Sequence, residues 1–308
     1  MRDSFNKKVN SVVIREPDFL VMATQKSGCY WVSALMDAHP EISCFPSMYG
    51  GQTGVGEGHV FDVLGSIDDD GGKQFIKSFT KTRDGFFADL VHYLHQLSRH
   101  KLYDLFRERY SQWCNLYRKK RLVGEKTAEY LLHLDIVDYF YPKIKKLCII
   151  RDPKDRVVSF HFHQLRKQQK TEEKITDEYV LSYCLNRIKK EYEILLNYNG
   201  NMHCFTYEAL TKNPHQVLRD ILDYLEVKST KEIVNQMIAE ASFENLTKKD
   251  RILDEGSRKR GEENRYSQYR KGIVGDWKNY LTPKQTKMID TIIFDLEKKV
   301  FQKYNLNR

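Results

Sequence analysis

The 308-residue chain contains no run of eighteen apolar residues, and its opening segment, Met1 to Glu16, is polar and mixed in charge without the apolar centre of a signal peptide. Neither a membrane span nor a secretory leader is supported, so a soluble cytoplasmic protein is the expectation. The six cysteines, at 29, 44, 114, 148, 184 and 204, include no close pairs. That spacing argues against a disulfide framework and against a Cys/His metal site, and predicts reduced thiols. No Gly precedes Lys26, which excludes the ordinary nucleotide-triphosphatase loop, because that motif needs a Gly five residues ahead of its Gly-Lys-Ser/Thr triplet. No nucleic-acid reader motif is present either. The 51 basic against 42 acidic side chains, net +9, suit a polyanionic ligand, although nucleic acid or an anionic membrane surface would be served equally well by charge alone.

Positively, 41% hydrophobic residues supply a large core and exclude wholesale disorder. The apolar run Phe19-Leu20-Val21-Met22-Ala23 is followed by Thr24-Gln25-Lys26-Ser27-Gly28-Cys29-Tyr30-Trp31. A buried strand that ends in a Gly- and Lys-bearing loop and turns into a helix aims backbone N–H groups, a helix dipole and an ammonium at one point, as a phosphate requires. A plain strand-to-helix turn fits the same residues. Leu147 to Ser159 repeats the layout: Pro153 suits the first helical turn, Asp152 its cap, and Asp155 the capping-box position. Arg151 at the strand end and Ser159 two turns into the helix can then share one crevice. Arg151 could instead pair with Asp155 at the surface.

A third segment, Tyr269-Arg270-Lys271-Gly272-Ile273-Val274-Gly275-Asp276-Trp277-Lys278-Asn279, combines adjacent cations, two glycines and a Trp. The three segments, in this order, resemble the sulfotransferases that use 3′-phosphoadenosine 5′-phosphosulfate (PAPS) and release 3′-phosphoadenosine 5′-phosphate (PAP). The resemblance runs from about residue 18 to 300, and the last segment matches the cytosolic branch. It implies that Lys26 contacts the 5′-phosphosulfate within the loop Gln25, Ser27, Gly28, Cys29 and Tyr30, and that Trp31 and Phe243 flank adenine with Tyr207 nearby. Arg151, Ser159, Arg270, Lys271 and Gly272 would hold the 3′-phosphate, where an arginine fork and a Gly N–H suit close approach. Cys29 and Tyr30 replace two hydroxyl residues usual in the family, and Gln25 replaces a frequent Pro.

The cytosolic enzymes place a His two residues after a Lys-Thr pair, whereas this chain has Glu125-Lys126-Thr127-Ala128-Glu129. That string is similar to the Glu-Lys-Thr/Ser segment of carbohydrate and bacterial sulfotransferases, which implies Glu125 as general base and Lys126 as its companion for sulfuryl charge. Proximity to Lys would lower the Glu125 pKa and desolvation would raise it. Glu129, His59, His92 and His133 are the substitutes. The implied reaction is in-line sulfuryl transfer from PAPS to a hydroxyl or amine of a small-molecule acceptor, with no metal, no nucleic acid and no membrane partner. A kinase-like phosphoryl transferase is the alternative, set back by the missing loop Gly and by the lack of a magnesium-binding acidic strand. A non-catalytic nucleotide-binding module is another.

The expected fold is α/β, one domain over residues 1–308: a central parallel sheet flanked by helices, carrying a P-loop-like phosphate-binding strand-loop-helix. Strands are expected at 18–24, 122–124, 147–150 and 203–206, and helices at 29–39, near 86–120, and where apolar residues recur at 217, 218, 221, 222 and 225, at 233, 234, 237 and 238, and at 288, 289, 292, 293 and 296. Residues 45–80 form a variable stretch with five Gly between 50 and 58, a candidate acceptor gate or a plain surface excursion. The charged segment 247–271 is expected to order when donor binds. The family's dimerisation pattern, Lys-x-x-x-Thr-Val-x-x-x-Glu, is matched at Lys278 and Thr282 but broken by Pro283 and Lys287, which leaves the oligomeric state open.

Overall fold

A computed structural model describes residues 16–45, 57–65, 98–170, 174–248 and 256–307. Five strands form the sheet: β1 (Phe19–Ala23), β2 (Ile42–Phe45), β3 (Leu122–Lys126), β4 (Lys145–Ile150) and β5 (His203–Thr206). Every pairing is parallel and the order is β2-β3-β1-β4-β5. Side chains alternate between faces. Phe19, Val21, Ala23, Leu147, Ile149 and Phe205 enter one core cluster, and Leu20, Met22, Val123, Cys148, Ile150 and Cys204 enter the other. Burial on both sides is why these strands read as unbroken apolar runs. At roughly 1.5–3 kcal/mol for each large apolar side chain buried, this sheet is the rigid frame of the molecule.

β1 sits where the chain changes direction across the sheet. Helix Cys29–Asp37 carries the chain from β1 to β2 on one side, whereas β4 and β5 lie on the other. Such a reversal opens a crevice beyond the carboxyl ends of the strands. Helix Pro153–Gln168 begins in the same region, with Pro in its first turn and Asp152 accepting from the Lys154 N–H at 2.8 Å. Asp155 departs from the capping-box expectation. Its carboxylate accepts from the Gly275 and Trp277 N–H groups at 2.8 and 3.0 Å, and so pins the third segment against the second. A carboxylate one methylene shorter than Glu is better satisfied there than by reaching back to its own cap.

The helices at 217–225, 233–238 and 288–296 are present as Pro214–Leu225, Lys231–Glu240 and Pro283–Lys303. Thr282 and Gln285 close a full capping box at the start of the last, and Pro283 is its first residue. The residues that break the dimerisation pattern therefore start a helix. Of the helical stretch expected near 86–120, Arg99–Tyr117 is described and 86–97 lies outside the described residues. The short strand β2 was absent from the sequence expectation: Ile42 and Cys44 enter the core while Ser43 interrupts the apolar run. No helix among the described residues is long and apolar enough to cross a membrane.

Candidate active site

The loop after β1 is held by its own hydroxyls and by a distant ion network. Thr24 and Ser27 hydroxyls meet at 2.6 Å. Lys26 and Gly28 take positive φ, 66° and 94°, which turns the backbone sharply into helix Cys29–Asp37. A Cβ at Gly28 would come within 3.0 Å of the Tyr207 ring. The Gly28 cap has no side-chain acceptor for the first helical turn, the condition in which a helix N-terminus receives an anion.

Gln25 ties this loop to the interior through four bonds. Its N–H donates to Glu191 Oε1 at 2.9 Å, its carbonyl accepts from Arg156 Nε at 2.7 Å, its amide donates to Glu129 at 3.3 Å, and its amide oxygen accepts from the Tyr183 hydroxyl at 3.2 Å. A Pro here could not make the first of these. Arg156 and Glu191 form an ion pair with both side chains fully enclosed. Arg187 joins in, donating to Glu191 at 2.6 Å and to Glu129 at 2.8 Å. Arg187 sits on a π-helical turn, Cys184–Ile188, between two α-helical stretches, an irregularity that re-aims one side chain.

One cavity collects most of the expected site. Gln25, Lys26, Gly28, Cys29, Tyr30, Trp31, Arg151, Ser159, Tyr207, Phe243, Arg270, Lys271 and Gly272 all line it. Ser27, Glu125 and Lys126 do not; all three are fully buried. At one end of the cavity, Trp31 is oriented by its Nε1–H to the Ala241 carbonyl at 3.1 Å and meets Tyr207 edge-on at 5.6 Å. A Cβ at Gly272 would lie 2.6 Å from the Phe243 ring, so the backbone there runs hard against the aromatic. Arg151 donates to the Ile273 carbonyl at 2.9 Å and stacks over Tyr207 at 4.4 Å. The alternative Arg151–Asp155 contact is also made, at 3.4 Å. Arg151 Nε is buried without a hydrogen-bond partner among the described residues, a donor that a phosphate oxygen would satisfy. Arg270 pairs with Glu263 and Asp276, and Lys271 with Asp276 at 2.9 Å. Against the effect of burial, these cations hold the Asp276 carboxyl below its usual range.

At the other end, burial together with Arg166 and Lys167 lowers the Lys26 pKa to about 8, Cys29 and Glu57 pulling the other way. Burial, Lys26 and Arg166 also depress the His163 imidazole to about 3, which leaves it neutral. Glu125 is set apart. Its carboxyl accepts from the Gly58 N–H at 3.1 Å, the Thr127 hydroxyl at 2.8 Å and the Tyr110 hydroxyl at 3.2 Å. Desolvation outweighs the bonds from Tyr130 and Thr127 and raises its pKa to about 7. Of the two opposing influences foreseen, burial wins, because Lys126 is not its partner. Neighbours along β3 face opposite ways: Glu125 follows Val123, and Lys126 points to Glu57 Oε1 at 3.3 Å and over the Tyr30 ring at 3.3 Å.

Sequence reasoning missed Glu57, His163, Arg260 and Gln268 in the cavity wall; Glu129, a substitute base, is also there. His163 carried a signal, since it follows Ser159 by four residues on one helix. His133 does not line the cavity, and His92 lies outside the described residues. Most of the stretch 45–80, the expected acceptor gate, is outside them as well; within it, Phe45 and residues 57–65 are described.

A parallel sheet reversing at β1, an uncapped helix N-terminus and a cationic cleft between aromatics define an α/β protein whose cleft suits an anionic ligand with an aromatic part. Residues 16–303 match the family described as the sulfotransferase domain, and the chain belongs to it. It is 31% identical over 163 residues to cytosolic sulfotransferase 7 of Arabidopsis thaliana, covering 48% of this chain and 49% of that one. To the amine sulfotransferase of Oryctolagus cuniculus it is 30% identical over 174 residues, 52% and 56% of the two chains. It thus spans about half the length of the curated relatives it matches. Among solved structures, mouse sulfotransferase SULT7A1 complexed with PAP superposes with a TM-score of 0.54 at 18% identity, over 94% of this chain and 86% of that one. A sulfotransferase from Alicyclobacillus acidocaldarius gives 0.54 at 15%, over 96% and 98%. At these identities the likeness establishes the fold.

Proposed function

We propose that the chain is a PAPS-dependent sulfotransferase that moves a sulfuryl group to a hydroxyl or amine of a small-molecule acceptor, working as one domain in the cytoplasm. The observation that carries this reading is the meeting of three distant segments, at Lys26, Arg151 and Arg270, in the wall of one cavity. PAPS supplies the activated sulfuryl group and a phosphate leaving group. Residues of the chain fit it: Arg151 Nε has no hydrogen-bond partner among the described residues, Gly28 and Gly272 leave no room for side chains, and Trp31, Tyr207 and Phe243 form an aromatic wall. In this reading Arg151, Ser159, Arg270, Lys271 and Gly272 hold the 3′-phosphate. Lys26, with Gln25, Ser27, Gly28, Cys29 and Tyr30, neutralises charge on the leaving phosphate, a preorganised electrostatic role. Hydroxyl and amine both remain as acceptor atoms; one relative is named an amine sulfotransferase and another a 3-alpha-hydroxysteroid sulfotransferase. Cytoplasmic residence is supported by six free thiols and by relatives named cytosolic.

Calorimetric titration with PAP and turnover of radiolabelled PAPS across a panel of phenols, sterols, sugars and amines test the proposal. Saturable PAP binding with label transfer to at least one acceptor class is expected. Absence of PAP binding refutes it, and binding without any transfer leaves the non-catalytic module in its place.

A further inference from the structure

Resting on the sulfuryl-transfer reading, we infer that Glu57 is the carboxylate that meets the acceptor, and that Glu125-Lys126-Thr127 is the clamp presenting it beside Lys26. All three members of the clamp converge on one short stretch of chain. Glu125 Oε1 accepts from the Gly58 N–H at 3.1 Å. The Thr127 hydroxyl oxygen accepts from the Gly58 and His59 N–H groups at 2.8 and 3.1 Å, and its own O–H donates to Glu125 Oε1 at 2.8 Å. Lys126 reaches Glu57 Oε1 at 3.3 Å from the opposite face of β3. The Ala128 N–H donates to the same oxygen at 3.2 Å. The site chooses glycine at 58: a Cβ there would lie 2.1 Å from Glu125 Oε1.

Glu57 reaches the cavity and Glu125 does not. The Glu57 side chain is 19% exposed, against 0% for Glu125, which is closed off by Tyr110 as well as by Gly58 and Thr127. Glu57 also faces helix Cys29–Asp37 at its start, where the Cys29 thiol donates to it at 3.9 Å. Its second oxygen lies 3.3 Å from His59 Nε2, whose other ring nitrogen is 2.7 Å from Asp62. In the step this geometry serves, the acceptor oxygen or nitrogen bonds to sulfur as the bond from sulfur to the phosphate oxygen breaks. The electron pair leaves with the phosphate, next to Lys26, and the acceptor proton passes to Glu57. Glu125 then acts as a positioning residue, through the Gly58 backbone.

The test uses the full chain, radiolabelled PAPS and its best acceptor, with PAP titration as a fold and donor-site control. Loss of a general base predicts that Glu57→Gln lowers kcat by about a hundredfold or more while PAP affinity stays within about threefold. Glu125→Gln keeps an amide oxygen for the Gly58 N–H and should lose less than about tenfold in kcat. A Glu57→Gln enzyme within about threefold of the parent in kcat, or a larger loss from Glu125→Gln than from Glu57→Gln at equal PAP affinity, overturns the inference. If Glu57→Gln fails to bind PAP, Glu57→Asp replaces it: the carboxylate withdrawn by one methylene should lower kcat at least about tenfold, and a value within about threefold overturns the inference. A parent protein that neither binds PAP nor transfers label fails at the earlier step, and so separates failure of the sulfotransferase reading from failure of this one.

Discussion

Replacing Glu191 by Gln should damage the protein at a distance from any ligand, because Glu191 is the negative centre of the network behind the donor loop. Its two oxygens take Arg156, Arg187 and the Gln25 N–H, and neither Glu191 nor Arg156 touches solvent. Glutamine keeps the shape and removes the charge, so Arg156 is left buried without its counterion. Arg156 Nη1 already lacks a hydrogen-bond partner among the described residues, so it has no spare acceptor to fall back on. Breaking a buried pair from one side costs about 3–5 kcal/mol. At about 2.1 cal/mol/K of unfolding entropy per residue, a chain of 308 residues loses about 1.5 °C per kcal/mol, so Tm should fall by about 5–8 °C. Differential scanning calorimetry reads the shift, and PAP titration should show weaker binding, because the Gln25 N–H loses its charged acceptor. A Tm within about 2 °C of the parent for Glu191→Gln refutes the reasoning.

The Lys26 ammonium, with its pKa lowered to about 8, is charged below that value and neutral above it, so kcat/KM should decline as pH rises through 8 to 9, and the pH profile of Lys26→Arg should lack that decline. Lys26→Ala should lose about 10²–10³ in kcat at neutral pH, read with labelled PAPS. Glu125 has its pKa raised from 4.5 to about 7; a folded value above the unfolded one means stability fully present below about pH 4.5 and lost as pH rises through 7. Its loss amounts to about 3 kcal/mol, so by urea unfolding Glu125→Gln should gain on the parent between pH 5 and 8, and a constant gap would refute the assignment. Gly272→Ala, strained at a φ of +70° and aimed at Phe243, should weaken PAP binding by about tenfold or more in titration while leaving the circular dichroism spectrum unchanged.

The strands flanking the crevice were legible because burial on two faces removes polar residues from them. Phe19–Ala23 and Leu147–Ile150 are continuous apolar runs for that reason, and each ends at a residue with chemistry. β2 has no such run, and its place at the edge beside β3 follows from pairing with residues about eighty positions later, which no local window contains. Asp155 fell to the same limit. Local rules assign it to its own helix cap, whereas the N–H groups it serves, at Gly275 and Trp277, are 120 and 122 positions away.

The residues that share the cavity were legible for a further reason: a strand end followed by Gly, Lys or Arg and a helix start is a compact local signature, the one a phosphate site leaves. The acceptor side has none. Glu57 lies in a glycine-rich stretch with neither a period of two nor of 3.6, and its position depends on bonds to residues 67 and 69 positions further on from its neighbour Gly58. One inference was nevertheless open to the sequence. Glu125 and Lys126 are consecutive in a strand, so they cannot both face one crevice. Val123 enters a hydrophobic core, so strand parity draws Glu125 in with it and sends Lys126 to the other face, over the Tyr30 ring. A motif names residues that act together, and here the two-residue repeat of the strand divides the work: one carboxyl grips the backbone of a neighbouring turn, and one ammonium grips the side chain that the turn delivers.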